Sequence, residues 1–205
     1  MNTFESEKEK LHTLISLAEF KALVGIDDRE DKTARFCLVT STLSIEQYCK
    51  RWFLRKKYIE TFEFYGDLLF PLREYPVNSI SAVYAMNNIN ETGESLEKDF
   101  YCLVPISGNG LDIPKSIYVS PTLQRYRRFR AIRVEYWAGY RADNMPQDLA
   151  AACMELAVWN FGRYKGRRIG MTGNVRGSGK DAEHFEMSMP ENVKSLLEPY
   201  RRRVI

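Results

Sequence analysis

Apolar residues recur at steps of three and four positions along two stretches of the chain, and this spacing predicts two long amphipathic helices. The first runs from about residue 29 to 53 and the second from about 146 to 165. The apolar face of the first comprises Ala34, Leu38, Ser41, Ile45, Tyr48 and Trp52, with Cys37, Cys49 and Phe53 alongside. That of the second comprises Leu149, Cys153, Leu156, Ala157, Asn160, Phe161 and Tyr164. We expect the two helices to pack together as the core pair of the fold.

Two shorter helices are marked by the residues at their ends. Ser16 and Glu19 have the spacing of a capping box, at the start of a helix predicted near 16–24. Another short helix is predicted near 191–198, and Pro199 ends it because proline cannot continue the helical hydrogen-bond pattern.

Between the helical segments the pattern changes to that of β-strands. Residues 58–140 contain short runs rich in β-branched and aromatic residues, separated by glycine, proline and asparagine. We predict an antiparallel β region inserted between the helices, and hence an α+β fold. The whole chain, 1–205, is predicted to be one domain, with a glycine-rich flexible loop at 166–189 and a tail at 199–205.

The composition is that of a globular protein. Hydrophobic residues make up 44% and charged residues 28% of the 205 positions. The sequence has no apolar run of about 18 residues, so we expect no membrane-spanning helix and no membrane partner. The four cysteines form no closely spaced CxxC pair, which favours an intracellular chain with reduced, buried thiols over a disulfide framework.

Charge is unevenly distributed along the chain. The net charge of +3 divides into −4 for residues 1–100 and +7 for residues 101–205, which suggests two electrostatic faces. Basic residues cluster at 50–57, 125–130, 163–168 and 201–203. Two of these clusters follow predicted helices, where cations are favourable in any case. A nucleic-acid-binding module that uses the clusters at 125–130 and 163–168 remains the alternative.

Motifs for catalysis and cofactor binding fail on spacing. Gly179 and Lys180 resemble the end of a phosphate-binding loop, but position 174 is Asn and Asp181 stands where Ser or Thr is needed. The two histidines lie in no nucleophile motif. Acidic residues 27–31 lack the spacing of a calcium loop and suit helix capping. We therefore predict no catalytic, cofactor-binding or metal-binding residues and no enzyme activity. An enzyme with an unrecognised carboxylate site is the weakest alternative.

Four segments in order resemble the head–tail connector, or adaptor, proteins of tailed bacteriophages. They are a short helix, acidic turn and long helix at 16–53, a strand entry at 68–84, a strand and proline-led helix at 134–161, and the ending at 195–202. Together they cover most of the chain. The stretch at 86–130 and the loop at 166–189 look longer than is usual in that family.

The resemblance implies a structural, non-enzymatic virion protein. Members of the family form a ring, typically of twelve subunits, beneath the portal protein. The ring extends the DNA channel and offers a surface to the next tail-completion protein. The resemblance thus implies contacts with other copies of the chain, with the portal, with the tail-completion protein and, without sequence specificity, with DNA. A monomer in isolation is compatible with it. The expected locations are the virion and, during assembly, the bacterial host cytoplasm.

Two sets of residues are candidates for these contacts. The tail and the glycine-rich loop are predicted to become ordered on a partner, with an aromatic anchor and guanidinium groups that suit carboxylates. These partner-docking candidates are Tyr200, Arg201, Arg202, Arg203, Arg176 and Lys180. A frayed, solvated end is the alternative for the tail. Candidates for the DNA channel or a lateral contact are Arg125, Arg127, Arg128 and Arg130.

Overall fold

The chain divides into two compact units. The helical unit consists of Met1–Arg51 and Arg141–Ile205, and the sheet unit of Trp52–Tyr140. The computed structural model describes residues 12–63, 67–88, 93–108, 111–121, 129–166 and 189–202. Whether these two units act together as the single domain predicted for residues 1–205 is not decided by this division, and the single domain stays a prediction.

The helical unit contains the four predicted helices. They are α1 (Leu17–Val24), α2 (Asp31–Cys49), α3 (Gln147–Lys165) and α4 (Glu191–Leu197). Ser16 and Glu19 form the predicted capping box at the start of α1. Gly25 ends α1 with φ of 69°, a left-handed conformation that glycine adopts without steric cost.

The long helix α2 is shorter than the sequence predicts. It begins after a 3₁₀ turn at Asp28–Glu30 and ends at Cys49 rather than Phe53. Lys50 closes it in the left-handed conformation, and its N–H bonds to the carbonyl oxygens of Glu46 and Gln47. The prediction that Trp52 lies on the buried face of this helix is therefore wrong, because Trp52 lies beyond the helix end and is exposed.

The predicted packing of the two long helices is confirmed. Their shared core includes Leu38, Ile45, Leu149 and Leu156, all buried. The small hydroxyl residues of α2 also face α3, since Asn160 donates a hydrogen bond of 2.9 Å to Ser41. One member of the predicted α3 stripe, Tyr164 in the last turn, is exposed instead.

Among its described residues, the sheet unit contains seven antiparallel strands: β1 (Lys56–Glu63), β2 (Leu69–Pro71), β3 (Val77–Met86), β4 (Glu94–Ser95), β5 (Tyr101–Gly108), β6 (Leu111–Val119) and β7 (Ala131–Ala138). One sheet has the order β1-β7-β3-β4 and the other β2-β6-β5. The predicted antiparallel insertion, and with it the α+β class, is confirmed.

The two sheets share one apolar core. Val83, Val134 and Tyr136 enter it from the larger sheet, and Ile117 and Val119 from the smaller. Strand β7 alternates buried and half-buried residues because it lies between β1 and β3 and turns one face inward.

The cysteines behave as predicted in three of four cases. Cys37, Cys49 and Cys153 are buried thiols in no disulfide, whereas the thiol of Cys102, also in no disulfide, is exposed on β5. Burial raises the pKa of the Cys37 thiol to about 11 and that of Cys49 to about 12. The interpretation of the cysteines as buried small hydrophobic residues therefore fails for Cys102, which lies on an edge strand of the smaller sheet.

Candidate functional site

The C-terminal segment is held by contacts within the helical unit. Tyr200 is half-buried, and its hydroxyl donates a hydrogen bond of 2.5 Å to Oδ1 of Asp148 in the first turn of α3. Tyr200 is thereby held against the start of α3, and its part in partner docking stays a prediction. Its hydrogen-bond partner is a charged residue at a helix N-terminus, where a carboxylate is stabilised by the helix dipole.

The next two residues combine contacts to the fold with exposure. Arg201 is exposed, its guanidinium lies 5.4 Å from the ring centre of Tyr48, and its Nη1 lies 3.8 Å from Glu198. Arg202 is half-buried, and its backbone N–H donates a hydrogen bond of 2.9 Å to the carbonyl oxygen of Cys49. The main chain of the tail is thereby attached to the end of α2, and partner docking by these side chains stays a prediction.

The sheet unit places one of the predicted arginines. Arg130 is exposed just before β7, and its backbone N–H donates a hydrogen bond of 2.8 Å to the carbonyl oxygen of Met86. The remaining candidates lie outside the described residues: Arg125, Arg127, Arg128, Arg176, Lys180 and Arg203.

The basic cluster at the end of α3 is partly engaged within its own unit. The guanidinium carbon of Arg163 lies 4.5 Å from the ring centre of Trp159. Lys165 forms an ion pair of 2.6 Å with Glu30, which immediately precedes α2. Cations in the last turn of a helix are favourable, and these contacts give the described part of the 163–168 cluster a structural role.

The sheet unit holds a half-buried carboxylate network. The hydroxyl of Tyr136 donates to Oε1 of Glu60 and accepts a hydrogen bond of 3.2 Å from the backbone N–H of Glu74. Glu60 also accepts from the backbone N–H of Arg73, at 3.1 and 3.2 Å to its two oxygens. Burial raises the pKa of the Glu60 carboxyl, and burial together with Glu60 raises that of the Tyr136 hydroxyl. The bond between Tyr136 and Glu60 joins β7 to β1, and the other bonds attach the backbone at residues 73–74 to these two strands.

The described part of the chain gives no support to two other kinds of site. Within it, no group of three or more His, Cys, Asp or Glu side chains is placed to hold a metal ion. No helix among the described residues is long and apolar enough to cross a membrane.

A groove between α2 and α3 is the feature that the sequence analysis missed. This α2–α3 groove has a volume of about 220 Å³ and is lined by Phe36, Cys37, Thr40, Ser44, Asn160, Arg163 and Tyr164. Phe36 is 54% exposed and Tyr164 44% exposed, and their rings lie 5.7 Å apart. The rim therefore presents two aromatic rings to solvent.

A second apolar surface lies on α1. Its inner residues Leu17 and Phe20 are buried, and the ring of Phe20 packs against that of Phe161 at 5.8 Å. Its outer residues Ala18, Ala22 and Leu23 are exposed, Leu23 by 67%. We call these three residues the α1 outer face.

The fold is similar to that of chains in gene transfer agent (GTA) particles. One is a chain in the neck of an empty GTA particle computed with C6 symmetry, matched at a TM-score of 0.57 and 18% identity over 92% of this chain and 90% of that one. Another is in the neck of a native GTA particle computed with C12 symmetry, with a TM-score of 0.54 and 18% identity over the same shares. A third, in the virion of a native GTA particle, matches at 0.53 and 19%, again over 92% and 90%.

The chain has the fold of a gene transfer agent neck protein. A coverage of 92% means that the likeness extends over both the helical unit and the sheet unit. No protein-family model and no curated protein matches the sequence.

The sequence does contain a signal for the α2–α3 groove. Phe36 and Leu43 are seven positions apart on α2, with Val39 and Thr40 between them, and this spacing places them on one side of a helix. The pattern was hidden because the stronger periodicity through Leu38 and Ile45 marks the opposite side, which forms the core.

Proposed function

We propose that this protein is a structural, non-enzymatic head–tail connector of a phage or phage-like particle. In this proposal twelve copies form a ring beneath the portal, join it to the tail and extend the DNA channel. The observation that carries the proposal is the likeness to GTA neck chains over 92% of this chain and 90% of theirs. The helical and sheet units would then act together as one connector domain.

The surfaces of the helical unit suit a closed ring. Head-to-tail contacts close a ring only when each subunit offers two different, complementary side faces. The α2–α3 groove and the α1 outer face are two such surfaces, because one is concave with exposed aromatic rings and the other is a protruding helix. The charge difference between the two halves of the sequence, −4 and +7, adds electrostatic complementarity.

The proposed partners are the portal on one side and a tail-completion protein on the other. Arg201 offers an exposed guanidinium for a carboxylate of either partner, and Tyr200 fixes the backbone beside it. DNA that passes through the channel must slide, so modest unspecific charge, such as that of the exposed Arg130, suits it better than a continuous basic groove. The protein would reside in the virion and, before assembly, in the bacterial cytoplasm.

Electron microscopy of the purified chain mixed with its portal tests the proposal. We expect a second ring stacked on one end of the portal ring. The number of subunits in its rotational symmetry should equal that of the portal or divide it evenly. The matched control is portal alone, imaged under the same conditions. Portal rings that remain bare at saturating chain concentration would contradict the proposal.

A DNA titration distinguishes the nucleic-acid-binding alternative. A dedicated binder that uses Arg163 and its neighbours would bind DNA tightly as a monomer, and its affinity would fall steeply with salt. A connector is expected to bind free DNA weakly, with a shallow salt dependence. Tight monomeric binding would favour the alternative.

A further inference from the structure

The groove side of α2 has the chemical properties of a surface that packs against another helix. From Phe36 to Ile45 the helix carries no charged residue. The hydroxyls that face the groove are satisfied by their own helix: Thr40 donates to the carbonyl oxygen of Phe36 at 2.9 Å, and Ser44 donates to that of Thr40 at 2.8 Å. Since a buried hydroxyl is costly only without a hydrogen bond, this surface loses little when water is removed.

The opposite side of the same helix pair already accepts a helix. Thr42 accepts a hydrogen bond of 3.2 Å from the backbone N–H of Leu14, just before α1, and Phe20 of α1 packs on Phe161 of α3. With 3.6 residues per turn, Thr40 and Thr42 point about 200° apart around α2. The α2–α3 pair thus has α1 on one side and the groove on the other.

The shapes of the two outward surfaces correspond. Ala18 and Ala22 are small, which allows the backbone of a neighbouring helix to approach closely. Leu23 follows Ala22 directly, about 100° further around the helix, as an apolar side chain that is 67% exposed. Glu19 lies between these two positions around the helix, with its carboxylate bonded to Ser16 at the start of α1. A single protruding leucine beside two alanines suits a groove that has an aromatic rim and small residues at its base.

The charges of the two surfaces are also complementary. Directly after α1, the turn at residues 27–31 carries four carboxylates and one arginine, and Asp27 and Asp28 are exposed. The groove is lined by the guanidinium of Arg163, with Lys165 in the same helical turn. Within one copy, Lys165 pairs with Glu30, and Lys21 pairs with Asp28 and Asp31. The charge contact between copies is therefore that of the exposed Asp27 with the guanidinium of Arg163, when α1 of one copy lies in the groove of another.

We propose that the lateral contact of the ring is made by the α1 outer face of one copy, which lies in the α2–α3 groove of the next copy. The inference rests on the proposed ring, and it identifies the surfaces that build it. Because the two surfaces lie on opposite sides of one helix pair, each copy is a donor on one side and an acceptor on the other. Such a contact is heterologous and propagates from copy to copy.

Chemical cross-linking of the full chain tests this arrangement. In a Cys102→Ser background, Leu23→Cys places a thiol on the α1 outer face and Thr40→Cys places one in the groove. Rings formed on the portal are treated with a short bis-maleimide and separated on a denaturing gel. The chain that carries both new cysteines is expected to give a ladder of covalent oligomers. An equal mixture of the two single variants is expected to stop at the dimer, because each copy then carries only one new thiol and can be linked to only one neighbour.

The single variants alone are the decisive control. Each alone should remain a monomer on the gel, and a dimer from Leu23→Cys alone would mean that like surfaces meet, which overturns the inference. If microscopy of the same sample shows rings on the portal but no ladder forms, the contact is wrong and the proposed function stands. If the unmodified chain forms no rings on the portal either, the proposed function fails as well.

A substitution pair gives an independent measurement. Phe36→Asp replaces an aromatic ring of the groove rim with a charge. We expect it to raise the chain concentration needed for half-maximal ring formation at least about tenfold, because aromatic residues commonly carry much of the binding energy of an interface. Val158→Asp changes an exposed apolar residue of α3 outside the groove lining and should leave assembly within about twofold of the unmodified chain. Equal effects of the two substitutions would overturn the inference.

Discussion

The backbone N–H of Arg202 donates a hydrogen bond to the carbonyl oxygen of Cys49, the last residue of α2. The C-terminal carbonyl groups of a helix have no partner within the helix, so an N–H from elsewhere in the chain satisfies one of them. The tail predicted to dock a partner therefore also supplies a hydrogen-bond donor to the C-terminal end of α2.

Truncation within the tail measures this second role. A chain that ends at Tyr200 lacks the bond to Cys49, whereas a chain that ends at Arg202 keeps it. We expect the shorter chain to lose about 1 kcal/mol of unfolding free energy, which corresponds to a melting temperature lower by about 2–4 °C. Thermal melts of the two truncated chains and the full chain check this. Identical melting temperatures for all three would show that the bond contributes nothing.

Two leucines of α2 separate core packing from surface exposure. Leu38 is buried against the rest of the helical unit, while Leu43 is exposed on the same helix. Leu38→Ala is expected to lower the unfolding free energy by about 2–5 kcal/mol, because it removes buried apolar area and leaves a cavity. Leu43→Ala should change it by no more than about 0.5 kcal/mol. Leu156→Ala on α3 should behave like Leu38→Ala. Urea denaturation of the monomer gives all three values.

Alanine substitution at two different glycines is expected to change the unfolding free energy in opposite directions. Gly162 lies inside α3, and an added Cβ would meet nothing within 4 Å. Gly162→Ala should therefore raise the unfolding free energy by about 0.5–1 kcal/mol, the difference in helix propensity. Gly139 has φ of 104°, and its Cβ would lie 2.7 Å from the carbonyl oxygen of Leu54. Gly139→Ala should lower stability by more than about 1 kcal/mol. Denaturation curves in which both variants shift in the same direction would contradict this.

The carboxylate of Glu60 predicts a pH dependence of stability. Its pKa is raised in the folded chain, chiefly by burial. At a pH just above the ordinary pKa of a glutamate carboxyl, the folded state therefore still holds a proton that the unfolded state has lost. The stabilisation is full at low pH and is lost as the pH rises through the folded-state pKa. Tyr136, Arg73 and Glu74 are the groups that face this carboxyl.

Glu60→Gln keeps an oxygen acceptor but cannot titrate. The stability of the unmodified chain should therefore fall relative to that of the Gln variant between about pH 4 and neutrality. Urea unfolding at several pH values in this range gives the difference. A difference that stays constant, or grows in favour of Glu60 as the pH rises, would show that the folded state does not raise this pKa.

Thiol labelling distinguishes the exposed cysteine from the buried ones. Only the thiolate reacts rapidly, and burial raises the pKa values of Cys37 and Cys49 well above neutral pH. At neutral pH a maleimide should modify Cys102 first and Cys37, Cys49 and Cys153 only on unfolding. Mass spectrometry of the native chain is expected to show one adduct, and the Cys102→Ser variant none on the same timescale.

Local rules account for much of the helical unit. The capping box at Ser16 and Glu19, the glycine that ends α1 and the periodicity of α3 are all properties of short sequence windows. The end of α2 is different, because it depends on a contact far along the chain. Phe53 looks like a further turn of the helix, yet its carbonyl oxygen accepts a hydrogen bond of 2.7 Å from the N–H of Tyr140. A tertiary contact thus overrides a local pattern, as it commonly does.

The order of the strands was likewise beyond local rules. The sequence predicts an antiparallel region, but the pairing of β7 with both β1 and β3 joins segments that lie far apart along the chain. The α2–α3 groove was not predicted from the sequence for a related reason. Its lining comes from two helices, so it exists only once they pack, and no window of the sequence contains both Phe36 and Tyr164.

The sheet unit begins and ends at the same place. Leu54 pairs with Tyr140 in a parallel bridge, and the N–H of Arg55 donates a hydrogen bond of 3.0 Å to the carbonyl oxygen of Tyr140. The segment that enters the sheet unit, at residues 54–55, therefore lies beside the segment that leaves it, at Tyr140. Insertions with neighbouring ends can be lengthened, shortened or exchanged without altering the distance that the host fold must span. The sheet unit is in this sense a cassette, which natural variation can replace while the helices keep their own packing.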